Sequence, residues 1–324
     1  MGQLKSVFKY ILSFGLIVFF MWFIYNGITE NERKEILDSI KNTPFIFIVI
    51  MILLAYLACI IRALRWEMLL KPLGYKLYKD VLISSIFIMY LANFVFPRLG
   101  EVLRCSILAK HNQVPVEKSI GTMVVERLID MIAMGIIFLI TIAIEFENLK
   151  IIYSQYLLKK NSNSGGGEIY IIFLIGIFAF IFLWKYSPKL RNVILSKLIG
   201  FKDGLLSIKK LENPILFIFY SVLINSIYFF TTYIFFFAVI QTAGLPFKSA
   251  FLVLISSTLG VALTPNGIGA SQYFVSEALN LYNVPTVYGM IYAWGAWIFT
   301  AIGLVSGGIF SWIHLTMKNN GQKV

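Results

Sequence analysis

The residues of this chain that could do chemistry are charged groups set inside otherwise apolar stretches. Glu126, Arg127 and Asp130 lie in one such stretch, where spacings of three and four residues bring side chains together on a helix. Only about 15 apolar residues follow Asp130, too few to cross a bilayer, so these charges must enter the membrane or its boundary. Two interpretations are open. Either the three charges neutralise one another, with Arg127 paired to Asp130, and fix helix packing, or they line the path of a substrate.

A second group of charges follows a proline. Arg98, Glu101 and Arg104 come directly after Pro97, at the expected start of a short helix. The N–H groups of a helix start favour an anion, and a guanidinium donates paired hydrogen bonds to phosphate. Arg98 is therefore a candidate contact for a lipid headgroup, and we expect Glu101 and Arg104, three residues apart, to pair.

Arginines near the ends of apolar runs also have an ordinary explanation as anchors at the membrane interface. Arg62, Arg65 and Trp66 close an apolar run, and Arg and Trp are common at such boundaries. We therefore interpret these three residues as interface anchors. The same explanation competes with headgroup binding for Arg98, whose long side chain could reach the interface from a slightly deeper backbone position.

Two breaks containing proline and glycine interrupt hydrophobic runs in the two halves of the chain. Their key residues are Asn93, Pro97, Gly100, Pro265, Gly267, Gly269 and Gln272. Interrupted helices leave backbone groups unpaired, which is tolerated within a membrane only where they line a cavity or bind something. A pair of such breaks at corresponding positions of two halves is the best sequence indication of a transporter's substrate site. Asn93 and Gln272 are the polar side chains that we expect to serve it.

The composition is that of a polytopic membrane protein. Hydrophobic residues make up 59% of the chain and charged residues 14%, whereas about a quarter of the residues of a soluble domain are charged. The net charge of +12 therefore indicates cytoplasmic loops near anionic lipid and not a nucleic-acid partner. P-loop, HExxH and nucleophile-elbow motifs are absent from the sequence, and its cysteines lack zinc-ligand spacing, so we expect neither an enzyme nor a metal or cofactor site.

Apolar runs of about 17–25 residues predict an all-α fold with six full membrane crossings. These crossings are 9–26, 45–62, 119–144, 169–185, 214–240 and 287–313. Two shorter pieces, 81–96 and 249–264, each continue past a break into a short helix, at 98–109 and 268–281. We interpret 81–109 and 249–281 as re-entrant hairpins.

The distribution of basic residues predicts the orientation. With the N-terminus in the cytoplasm, 20 Lys and Arg fall in inside segments and 7 in outside segments. Each half then reads span, span, hairpin, span with opposite orientation, which is an inverted-topology repeat of residues 1–158 and 169–324 joined by the polar linker 159–168. This predicts a multi-pass protein of a prokaryotic cytoplasmic membrane with both termini inside.

The segment 187–213 allows a second view of the function. Apolar residues recur there at helical spacing between lysines and arginines, which predicts a basic amphipathic helix in the cytoplasmic interface. A solvated linker helix is the plainer interpretation. A protein that uses this helix to recruit a lipid- or glycan-modifying enzyme, without transporting anything, is the alternative to a lipid translocator. A secondary carrier for a small anion is a third possibility, and the oligomeric state is open.

The chain resembles the flippase-like membrane family that includes the N-terminal translocase region of lysylphosphatidylglycerol synthases. The resemblance is carried by four motifs, at 62–66, 93–104, 126–130 and 265–269. It implies movement of phospholipids or lipid-linked glycans between leaflets. It also implies that Arg98, Glu101, Arg104, Glu126, Arg127 and Asp130 lie at or near the translocation path.

Two departures from the family pattern affect what the resemblance implies. The family commonly has a glutamate three residues after the last motif glycine, and this chain has Gln272 there. If that acid couples to protons or to a cationic headgroup, the function is lost or moved in this protein. The soluble aminoacyl-transferase domain of the synthases has no counterpart in the sequence, so we expect no lipid aminoacylation.

Overall fold

The computed structural model describes residues 44–95, 98–146 and 211–321, together with the single residues Glu30, Lys34, Asp38 and Lys41. This part of the chain is helical and contains no strand. The predicted spans 9–26 and 169–185, the linker 159–168 and nearly all of the amphipathic helix 187–213 lie outside the described residues.

Eight α-helices make up the described structure. They are α1 (Phe45–Leu70), α2 (Lys79–Val95), α3 (Leu99–Asn112), α4 (Val116–Ile144), α5 (Pro214–Phe236), α6 (Ser249–Leu263), α7 (Ala270–Asn280) and α8 (Thr286–Gly321). Short 3₁₀ turns occupy Lys71–Leu73 and Pro265–Gly267. Four of the helices, α1, α4, α5 and α8, are long and apolar enough to cross a membrane, and they correspond to four of the six predicted crossings.

The shorter helices form two pairs that match the predicted hairpins in extent. Helix α2 packs against α3, and α6 packs against α7. At 1.5 Å per residue, α2 and α6 are about 25 Å and 22 Å long, less than the ~30 Å hydrocarbon core of a bilayer. The existence and ends of both pairs agree with the sequence to within a few residues, while their re-entrant placement in an inverted repeat stays a prediction.

Glycines permit the close packing within each pair. A Cβ on Gly100 of α3 would lie 2.0 Å from the backbone oxygen of Met89 in α2. A Cβ on Gly260 of α6 would lie 2.2 Å from the Cα of Ser271 in α7. Since both obstacles are backbone atoms, which cannot rotate away, each pair can approach this closely only with glycine at the contact. The sequence analysis identified Gly100 and missed Gly260.

Helix α8 joins the two halves of the described structure, because it packs against α1 and α2 as well as α7. Its end is tied to the start of α2, where Lys318 Nζ donates to Asp80 Oδ2 at 2.7 Å and His314 Nε2 lies 3.2 Å from the same oxygen. Burial raises the pKa of Asp80, but the hydrogen bonds with Lys318 and His314 together with the charge of Lys318 lower it by more, so the pKa lies below its ordinary value.

Candidate functional site

A single buried carboxylate gathers three arginines at the centre of the structure. The side chain of Glu126, on α4, is fully buried. Its Oε1 accepts hydrogen bonds from Arg62 Nη1 at 3.0 Å and Arg65 Nη2 at 3.1 Å, both from α1. Its Oε2 accepts from Arg104 Nη2, on α3, at 2.7 Å. One carboxylate therefore joins three helices. Its hydrogen-bonded ion pairs supply the compensation that a charge removed from water requires.

Asp130, one helical turn further along α4, extends this cluster. Its Oδ2 lies 3.0 Å from Arg62 Nη1 and its Oδ1 lies 2.7 Å from Arg65 Nη2. Arg127 is its predicted partner from spacing, and the structure places Arg127 Nη1 at 3.8 Å. The closest partner of Arg127 is instead Glu101 of α3, at 3.2 Å. The expected pairing of Glu101 with Arg104 is not formed, because Arg104 turns to Glu126.

Arg62, Arg65 and Trp66, which the sequence analysis interpreted as interface anchors, are buried against other helices. The side chains of the two arginines are 6% and 0% exposed, and Trp66 is fully buried. Trp66 Nε1 donates to Thr122 Oγ1 at 2.9 Å, and the Arg104 guanidinium stacks 4.3 Å from the Trp66 ring centroid. Helix α1 continues past these residues to Leu70, and their role as interface anchors stays a prediction.

The cluster carries an excess of positive charge. Four guanidinium groups, of Arg62, Arg65, Arg104 and Arg127, face the carboxylates of Glu101, Glu126 and Asp130. Several buried donors in it also lack a hydrogen-bond partner among the described residues: the Nε atoms of Arg62, Arg65 and Arg104, and Arg104 Nη1. Buried donors without partners are costly, so the cluster is electrostatically suited to an additional anion.

A cavity of about 510 Å³ opens beside this cluster. Arg62, Arg127 and Asp130 form its charged wall. Hydroxyl and amide side chains from five helices complete its polar lining: Tyr90, Asn225, Tyr228, Thr231, Thr232, Ser257, Thr258, Ser271, Tyr292 and Thr300. Arg62 Nη2 donates to Tyr228 Oη at 3.2 Å, which holds the guanidinium at the wall. A charged, hydroxyl-rich cavity among apolar helices is typical of a site for a polar group within a membrane.

The two sequence breaks meet next to the cavity. Asn266 Nδ2, in the second break, donates to the backbone oxygen of Asn93 at 2.9 Å. Trp297 of α8, which lines the cavity, donates from Nε1 to the Asn266 backbone oxygen at 3.0 Å. The rings of Phe94 and Trp297 pack edge to face with centroids 5.9 Å apart. Asn93 and Asn266 are 173 positions apart in the sequence, and the fold brings the two breaks into direct contact.

The remaining predicted residues of the first break lie outside the cavity wall. Arg98 is exposed in a left-handed conformation, with φ 69°, immediately before α3. The N–H of Gly100 donates to Asn93 Oδ1 at 2.9 Å, so the side chain of Asn93 caps the start of α3. Pro97 lies outside the described residues. Asn93 and Gly100 therefore have structural roles, and headgroup contact by Arg98 stays a prediction.

The second break is a tight turn followed by a capped helix. Pro265 begins the 3₁₀ turn, and Gly267 and Gly269 take left-handed φ values of 73° and 82° that favour glycine. The buried Gln272 accepts a hydrogen bond at Oε1 from the N–H of Gly269 at 2.7 Å, while its Nε2 has no partner among the described residues. Gln272 is not part of the cavity wall. Its amide oxygen caps α7, a role that a carboxylate would fill equally well.

Sequence reasoning missed several residues of the cavity. Tyr90, Asn225 and Tyr228 lie in apolar helices, where aromatic and isolated amide residues are common and give no distinct signal. Arg62 was noticed as an interface anchor, but its contacts with Glu126 and Asp130 were not predicted. A usable signal did exist, since a buried Glu126 requires cationic partners and Arg62 and Arg65 fall three residues apart on one helix.

Comparison with known proteins places the chain in a family. It is 31% identical over 204 residues to UPF0104 membrane protein MJ1078 of Methanocaldococcus jannaschii, covering 60% of this chain and 81% of that protein. It is 27% identical over 130 residues to UPF0104 membrane protein MJ1595 of the same organism, covering 39% of this chain and 36% of that protein. No solved structure matches. The family model described as the lysylphosphatidylglycerol synthase TM region matches residues 10–308, and the chain therefore belongs to this family of membrane proteins.

Proposed function

We propose that this protein moves an anionic amphiphile between membrane leaflets by admitting its headgroup to the cavity beside Glu126. The observation that carries the proposal is the net positive ion cluster at the wall of a polar cavity, within helices apolar enough to span a membrane. The cavity residues that would contact the phosphate of the headgroup are Arg62 and Arg127, and Asp130 would hold these two guanidinium groups at the wall. The shared chemistry of the substrate is a phosphate joined to hydrocarbon, as in an anionic phospholipid or a polyprenyl-phosphate-linked glycan.

Exchange of ion-pair partners is the step by which the headgroup would bind. The Arg127 side chain is 41% exposed, and its longer contact with Asp130 is 3.8 Å, so it is the guanidinium freest to rotate toward an entering phosphate. Guanidinium groups bind phosphate through paired hydrogen bonds. A phosphate that engages Arg127 and Arg62 neutralises the excess positive charge and leaves Glu126 to hold Arg65 and Arg104. The phosphate would thus supply hydrogen-bond partners that the arginines of the cavity wall otherwise lack.

Passage of the headgroup would require the two breaks to separate. The Asn266–Asn93 and Trp297–Asn266 hydrogen bonds close the structure beside the cavity. Net hydrogen-bond contributions of about 0.5–1.5 kcal/mol each make such a contact strong enough to persist and weak enough to open. In the proposed inverted repeat, the two hairpins approach from opposite faces, and exposed Arg98 would meet the headgroup before it enters. The protein would act in a prokaryotic cytoplasmic membrane with both termini inside.

Leaflet exchange in liposomes tests the proposal. Purified protein is reconstituted with fluorescent anionic, zwitterionic and polyprenyl-phosphate lipids in separate arms, with and without an imposed proton gradient. Loss of a charged hydrogen bond is worth about 1.5–3 kcal/mol, so Arg127→Gln should slow exchange of the transported class about tenfold or more. The matched control is Lys71→Gln, which removes a half-exposed cation whose ion pair with Glu67 is long at 3.9 Å.

The outcomes separate substrate classes and also decide the proposal. Exchange of phospholipid or of polyprenyl-phosphate lipid, lost in Arg127→Gln and kept in Lys71→Gln, supports the cavity as the site and names the class. Arg98→Ala in the same assay tests the outer contact. Absence of exchange in every arm by folded protein contradicts the proposal, as does an Arg127→Gln variant that exchanges lipid at the wild-type rate.

A further inference from the structure

An apolar groove runs alongside the polar cavity. It has a volume of about 550 Å³ and lies between α4, α5 and the start of α6. Its α4 wall includes Ile132, Ala133 and Ile136, and its α5 wall includes Ile218 and Val222. Ile136, Ile218 and Val222 are 54%, 56% and 59% exposed. The groove is therefore open along its side and is built almost wholly from hydrocarbon.

The groove and the polar cavity adjoin each other. Asn225 of α5 and Leu254 of α6 line both of them. Along α5 the groove extends from Phe217 to Phe230, a rise of about 20 Å at 1.5 Å per residue. One leaflet of the hydrocarbon core is about 15 Å thick. Asn225 lies eight residues from Phe217, so a hydrocarbon chain that starts at the cavity has about 12 Å of groove toward Phe217, most of the depth of one leaflet.

We propose that this groove holds one hydrocarbon chain of the amphiphile whose headgroup occupies the cavity, an inference that rests on the proposed function. A charged headgroup inside the protein must stay attached to a chain that remains in apolar surroundings. Asn225 at the junction marks the point where a linkage between headgroup and chain would pass. The substrate is therefore an amphiphile held at both ends, and a soluble anion lacks half of the contacts.

Tail binding here positions the ligand more than it tightens binding. Lipid chains are about as apolar as the leucine and isoleucine side chains of a membrane helix, so moving a chain from bilayer to groove releases little hydrophobic free energy. Close packing and the tether to the headgroup supply the preference instead. Filling the groove should consequently displace the chain at little cost to folding.

Photo-crosslinking in liposomes tests this assignment. The probe is phosphatidylglycerol with a diazirine near the end of one acyl chain, diluted in zwitterionic lipid. Labelled peptides are mapped by mass spectrometry, with unlabelled phosphatidylglycerol as competitor. Ala133→Trp places an indole in the groove and should lower labelling of the 129–137 and 217–230 segments at least fivefold. Met131→Trp is the matched control, because Met131 lies at the same depth of α4, is 69% exposed and lines neither cavity.

Each result decides between groove occupancy and its alternatives. Competable labelling of these two segments, lost in Ala133→Trp and kept in Met131→Trp, supports a specific chain site. If Ala133→Trp does not fold, Val222→Trp fills the groove from α5. Labelling equal to that of other exposed faces indicates only annular lipid and overturns the proposal. Complete disulfide formation between Ala133→Cys and a cysteine introduced within 169–185 overturns it in favour of the chain's own segment as occupant.

The crosslinking result is independent of the exchange assay. Specific labelling without leaflet exchange would retain the groove as a lipid site and refute translocation. Leaflet exchange with uniform, non-competable labelling would retain the proposed function and refute the groove.

Discussion

Replacing Glu126 by glutamine gives the sharpest test of the ion cluster. Glutamine keeps the size of the side chain and one acceptor oxygen but removes the charge that Arg62, Arg65 and Arg104 share. It also turns an NH₂ group toward guanidinium donors. Breaking a buried ion pair by removing one partner costs about 3–5 kcal/mol, because the other charge is left uncompensated. With three guanidinium groups affected and the Glu126 side chain fully buried, we expect Glu126→Gln to reach the upper part of this range.

A control and a second variant isolate the charge. Glu101 contacts Arg127 at 3.2 Å where both side chains are partly exposed, and such pairs contribute about 0–1 kcal/mol, so Glu101→Gln should change stability little. Arg104→Met keeps the apolar stem over Trp66 but removes one cation. Combined with Glu126→Gln, it should be less destabilising than the sum of the single changes by about 1–3 kcal/mol.

Reversible unfolding in mixed detergent micelles, followed by tryptophan fluorescence, measures these free energies. The reasoning fails if the free energy of unfolding of Glu126→Gln lies within about 1 kcal/mol of the wild-type value, because so small an effect is typical of an exposed surface ion pair. It also fails if the double variant is strictly additive, because independent effects would mean that Glu126 and Arg104 do not stabilise each other in the membrane-like environment.

Three further predictions follow from local geometry. Gly100→Ala should lower the free energy of unfolding by about 3 kcal/mol in the same assay, because the added Cβ meets a backbone oxygen. Gly121→Ala, whose Cβ meets nothing within 4 Å, should raise it by about 0.5–1 kcal/mol. Equal effects of the two changes would contradict the packing argument. Asn266→Ala should cost about 1 kcal/mol more than Asn266→Gly, since both lose the link between the breaks but only alanine is strained at φ 53°; the two unfolding midpoints decide this. Because the pKa of Asp80 is lowered in the folded protein, the stabilisation from its carboxylate is present above about pH 4 and is lost as the pH falls through the folded-state pKa. Unfolding curves should therefore show Asp80→Asn less stable than the wild type at pH 7, with the difference disappearing below about pH 4. A difference that does not depend on pH would refute this.

The helices and their ends could be predicted from the sequence because these local features depend on neighbouring residues alone. Continuous apolar composition predicted helices, and four predicted crossings correspond to long apolar helices. The breaks were located closely: α2 ends at Val95 and α6 at Leu263, each one residue before the end of the predicted apolar piece. Proline and glycine stop a helix wherever the chain folds, so these ends needed no tertiary information.

Tertiary packing decided which groups meet. The sequence alone determined that the charges of Glu126 and Asp130 required compensation, because an unpaired charge among apolar helices is too costly to keep. For Asp130 it suggested Arg127, which is three residues away. The structure instead pairs Glu126 with three distant arginines, which precede it by 64, 61 and 22 residues: Arg62, Arg65 and Arg104. Spacing along one helix limits which neighbours can pair, but the choice among all cations depends on how helices cross. The polar cavity, its apolar groove and the contact between the two breaks arise from that packing, and so only the tertiary structure could place them.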